Sequence, residues 1–127
     1  MKMRAFRGWA AAALGVAALV AIGSPATAHP RLVASVPERS SVLKKAPATV
    51  TVTFSEDIDE DASTFQLETA AKKVIDLKLA REQSNNPKEI SVDLPKNLPA
   101  GPYVVRWKVV SEGHGGVPGL LRFEIKP

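Results

Sequence analysis

From Arg31 onward the chain repeatedly alternates apolar and polar residues with a period of two, the pattern of strands with one buried face. In ATVTVTF (Ala48–Phe54), Val50, Val52 and Phe54 alternate with three threonines. STFQLET (Ser63–Thr69) sets Phe65 and Leu67 on one face, and VIDLKLA (Val74–Ala80) does so with Ile75, Leu77 and Leu79. EISVDL (Glu89–Leu94) repeats this with Ile90, Val92 and Leu94, and GPYVVRWKVV (Gly101–Val110) with Tyr103, Val105, Trp107 and Val109. GLLRFEI (Gly119–Ile125) closes the series with Leu121, Phe123 and Ile125, while RLVASVP (Arg31–Pro37) is a weaker seventh strand. Pro47, Ser84–Pro87, Pro95–Pro102 and Gly113–Gly119 supply the turn chemistry between these runs. Seven short strands without a convincing helix predict an all-β domain, a seven-stranded antiparallel Greek-key β-sandwich or barrel. Trp107, Tyr103 and Phe123 are predicted to lie in its core.

The first 28 residues follow a different pattern. Lys2, Arg4 and Arg7 precede an apolar run from Trp9 to Ile22, and Ala26-Thr27-Ala28 places small residues before a cut. This is the order of a cleaved secretory signal peptide, and the run is shorter than the roughly 18–20 residues of a bilayer span. The mature domain is expected to be residues 29–127, exported to a periplasmic or extracellular compartment. Three of the 17 Lys and Arg residues lie in the signal, so the remainder nearly balances the 13 Asp and Glu. That balance leaves no electrostatic footprint for nucleic acid. With no cysteine, the domain lacks disulfides and the soft sulfur ligands of zinc fingers and iron–sulfur clusters.

The chain has two histidines. Cleavage after Ala28 would give His29 a free α-amine, so one residue would offer the amine and the imidazole Nδ1 as a chelating pair. Their reference pKa values, about 7.7–8.0 and 6.5, let a metal displace their protons near neutral pH. Pro30 has no amide hydrogen, so the backbone cannot extend that chelate and further ligands must come from elsewhere. His114 lies in SEGHGGVPG, read as a loop between the last two strands, with Glu112 two positions before it. Two imidazoles, an amine and a carboxylate suit tetragonal Cu(II), and the same ligand types admit zinc. The two histidines also read as a terminal residue and a loop residue without a ligand role.

The pieces HPRLVASVP, VTVTFSEDID, LPAGPYVVRWKVVSEGHGGVPG and RFEI together resemble the copper-binding proteins of the CopC family, over essentially all of residues 29–127. The resemblance implies a cupredoxin-like or immunoglobulin-like barrel that binds Cu(II) through an amino-terminal histidine brace. By position the metal ligands would be His29, Glu112 and His114, with Glu56 as a weak ligand or an outer carboxylate orienting an imidazole. Two departures stand out: Glu112 occupies a position that is usually aspartate, and both methionines, Met1 and Met3, lie in the signal. No methionine-rich Cu(I) site is therefore expected.

On this reading the protein is a monomeric copper carrier in copper tolerance or homeostasis, not an enzyme. The resemblance implies a CopD-like membrane copper permease as its partner. Two other functions remain open at this point. One is a copper monooxygenase of the lytic polysaccharide type, which also uses a histidine brace on a β-sandwich. The other is an envelope module that binds no metal.

Overall fold

The computed structural model describes Gly15, residues 29–112 and residues 114–127, with His114 described in its backbone alone. The predicted signal segment otherwise lies outside the described residues. The strands run β1 (Leu32–Val36), β2 (Ser41–Leu43), β3 (Thr49–Phe54), β4 (Ile58–Glu68), β5 (Val74–Leu77), β6 (Glu89–Asp93), β7 (Gly101–Ser111) and β8 (His114–Ile125). They form a three-stranded sheet, β1-β3-β6, packed on a five-stranded sheet, β2-β8-β7-β4-β5. The result is an all-β Greek-key sandwich, as the alternation predicts.

The inner faces are those read from the period of two. Val50, Val52 and Phe54 of β3, Ile90 and Val92 of β6, and Val105, Val109, Leu121 and Phe123 of β7 and β8 are all buried. Trp107 meets Phe54 edge-on, with ring centroids 5.6 Å apart at 85°, which ties the two sheets together. Tyr103 stacks on Phe123 and donates its hydroxyl to Pro99 O, anchoring the connection that enters β7. Burial pushes the Tyr103 phenol up from its ordinary pKa. The three aromatic residues expected in the core are there.

Three local features depart from the sequence reading. β2 is an additional strand, and it pairs parallel with Phe123–Ile125 of β8. Three residues are too few to show alternation; backbone bonds from Ser40 N to Arg122 O and from Lys126 N to Leu43 O hold the strand in place. β4 starts at Ile58, five residues before the expected Ser63, because its acidic first half breaks the pattern. A register shift between Asp59 and Thr64 absorbs that half. There Ser63 Oγ donates to Asp59 O and accepts from Val110 N, filling the gap in the ladder.

The third departure corrects the loop expected at Gly113–Gly119. β8 begins at His114, so most of that stretch is strand. Gly115, Gly116 and Pro118 are tolerated because β2 flanks only Phe123–Ile125, leaving the first part of β8 with β7 on one side. Turn chemistry alone cannot tell such an edge segment from a loop.

Candidate metal centre

Three segments carrying candidate ligands meet at one end of the sandwich. The first is the arm that leads into β1. Its pairing with β3 begins at Leu32 opposite Phe54. One step further out, Ser55 N donates to Arg31 O at 2.9 Å and Arg31 N donates to Ser55 Oγ at 3.0 Å. These bonds fasten the arm beside the end of β3. Pro30 is buried there and His29 is exposed.

The second segment is the bend after β3. Glu56, half-buried, follows Ser55 and its Oε2 accepts a hydrogen bond from Ser111 Oγ at 3.2 Å. The third is the β7–β8 hairpin. Ser111 is 4% exposed and pairs with Ile58 of β4 on one side and with His114 of β8 on the other. Glu112 is exposed in the turn that follows. Asp57, Ile58, Asp59, Val110, Ser111 and Glu112 line an open depression at this end, so three carboxylates border it.

The fold therefore brings the His29 arm, Glu56 and the Glu112–His114 hairpin together from positions far apart in sequence. The backbone of His114 stands opposite Ser111; its side chain is outside the described residues. Among the described residues no three His, Asp or Glu side chains stand close enough together to hold a metal ion. His29, Glu56 and Glu112 thus do not close a site by themselves. The donor types nevertheless fit a borderline divalent cation, with carboxylates around the depression to offset its charge.

Sequence reasoning passed over Ser55 and Ser111. Their signal was available: both described candidate carboxylates follow a serine, in Ser55-Glu56 and Ser111-Glu112. Each dipeptide begins where a core strand ends.

A family model for the CopC domain matches residues 32–126. Copper resistance protein C of Xanthomonas campestris pv. juglandis is 33% identical, over 98% of this chain and 100% of that protein. The chain belongs to the CopC family. The match to the CopC domain opens at Leu32, just inside the arm that carries His29. Copper transport protein CutJ of Bacillus subtilis (strain 168) is 31% identical over 84% of the chain, which spans 20% of that protein's length. Among solved structures, CopC from Methylosinus trichosporium OB3b superposes with a TM-score of 0.68 at 26% identity, covering 78% of this chain and 95% of that one. PcoC, a methionine-rich copper resistance protein from Escherichia coli, gives a TM-score of 0.64 at 28% identity, covering 78% and 100%.

Proposed function

We propose that the chain is an exported Cu(II)-binding protein of copper tolerance or homeostasis, mature from His29. The observation that carries this reading is the convergence of the His29 arm, Glu56 and the Glu112–His114 hairpin at one end of the fold. Membership of the CopC family and relatives named for copper resistance and copper transport support it. His29, through its amine and imidazole, and His114 would supply the nitrogens. Glu112 would add a carboxylate, and Glu56 would act as a weak ligand or orient an imidazole. Copper is the cargo, held in a saturated site and passed on without turnover of a substrate. The periplasm or the extracellular space, with a CopD-like permease in the membrane, is the setting that follows.

PcoC is named as methionine-rich, whereas the two methionines here are Met1 and Met3, ahead of the proposed cut. The reading is therefore restricted to Cu(II). Its test joins two measurements on the protein recovered from the export compartment. Intact mass should show a chain beginning at His29. Addition of Cu(II) should give a d–d band and an EPR spectrum with nitrogen ligation. His114→Ala should weaken binding at least tenfold while keeping the fold, with a smaller effect from Glu112→Gln. A wild-type protein that gains no copper signal would instead mark an envelope module.

A further inference from the structure

Strand pairing stops short of Glu56 on both sides, and in each case a serine hydroxyl takes over. On one side, Arg31 and Ser55 stand where an antiparallel pair would exchange two backbone bonds. Ser55 N makes the first, to Arg31 O at 2.9 Å. The return bond from Arg31 N goes to Ser55 Oγ at 3.0 Å, so the side chain stands in for its own carbonyl. The chain can then bend away at Ser55 and Glu56 while the arm stays attached.

On the other side, Ser111 closes β7. Its Oγ, on a residue 4% exposed, donates to Glu56 Oε2 at 3.2 Å. Ser111 is also the register partner of His114 and of Ile58. One dipeptide, Ser55–Glu56, thus receives a hydrogen bond from the segment that carries His29 and another from the strand end that pairs with His114. A chelate drawn from separate segments must otherwise order them as the metal binds, and that ordering lowers affinity.

We infer that Ser55 and Ser111 are positioning residues for copper: they hold the two histidine-bearing segments at a set separation across Glu56 before metal arrives. The inference rests on the proposed Cu(II) reading and adds preorganisation to it. Neither hydroxyl is a ligand. Ser55 acts through the arm, and Ser111 acts through Glu56.

The experiment titrates Cu(II) into the exported wild-type protein and its variants, following affinity and EPR parameters, with apo melting and Arg31 amide exchange measured in parallel. Ser55→Ala should raise the Kd roughly tenfold or more, the usual scale for residues that orient metal ligands. It should speed exchange of the Arg31 amide and leave apo melting close to wild type. Ser55→Thr keeps an acceptor oxygen and should restore both affinity and protection. Ser111→Ala should weaken binding and alter the EPR parameters in the wild-type background, but add nothing in a Glu56→Ala background. Wild-type affinity in both alanine variants would overturn the inference and leave the copper reading standing. Affinity lost only in step with apo stability, or not restored by Ser55→Thr, would also overturn it. A wild-type protein that binds no Cu(II) would overturn both.

Discussion

Trp107 packs into the core only because the residue opposite it has no side chain. Gly119 is its register partner on β8, and a Cβ placed there would stand 2.2 Å from the indole Nε1 and 2.6 Å from Cε2. The ring therefore lies across the glycine while its other contacts run to Phe54 and Phe65. Gly119→Ala must displace a large buried group in a close-packed interior, at a cost of about 1–3 kcal/mol. Chemical denaturation should show this as a lower midpoint at unchanged slope; an unchanged midpoint would mean that the ring has room to move. The glycine was legible in the sequence as turn chemistry. Its pairing with tryptophan was not, because that depends on the register of β8.

At the scale of elements, the edges of the smaller sheet are treated differently. Beside β6 the backbone of residues 78–80 pairs with it, Ala80 N donating to Ser91 O at 2.8 Å and Asp93 N to Lys78 O at 3.0 Å. One side chain extends that cover: Ser91 N donates to Gln83 Oε1 at 2.9 Å, and Gln83 Nε2 donates to Ser91 O and Ala80 O at 2.7 and 2.8 Å. The amide thus continues the bridge by one more step and occupies the Ser91 N–H, which could otherwise pair with another chain. Along β1 the cover is lighter: Arg39 Nη2 donates to Leu32 O at 3.2 Å, and Val33 and Val36 are exposed. Gln83→Ala should cost about 1–3 kcal/mol, the range for half-buried polar groups that lose their partners. Native-state hydrogen exchange should register it first at the Ser91 amide. If that amide stays as protected as in wild type, the side chain adds nothing to the backbone cover of that edge.

For the whole molecule, the relevant asymmetry is one of charge. Positive and negative residues nearly balance beyond the basic amino terminus, yet Asp57, Asp59 and Glu112 border one depression and Glu56 lies beside it. A cation approaching that end meets a local negative field in a stretch of nearly balanced charge, residues 29–127. Binding to the native state alone should stabilise it by mass action, by about 2.7 kcal/mol at a hundredfold excess over Kd. The pH dependence follows from proton competition. On the proposed ligand set, protons compete with the metal for the amine and imidazole nitrogens, and binding should weaken as pH falls toward about 5. Melting temperature should therefore rise with Cu(II) at pH 7.5, and the rise should disappear near pH 5. A shift equally large at both values would point to carboxylate ligation without the histidines.

The alternation of Val50, Val52 and Phe54, and of Tyr103, Val105, Trp107 and Val109, by itself determined the fold class and the core, because burying one face of a strand requires a period of two. His29, Glu56, Glu112 and His114 were legible as chemical types and, through motif order, as a CopC-like set. Only the tertiary structure decided that their segments share one end of the sandwich and that His114 opens a strand. It also decided that the Ser55 hydroxyl takes the Arg31 amide and that the Ser111 hydroxyl reaches Glu56. Side-chain alternation is written locally along the chain. Register, edge position and long-range hydrogen bonds arise only when distant segments pair, and no local pattern encodes them.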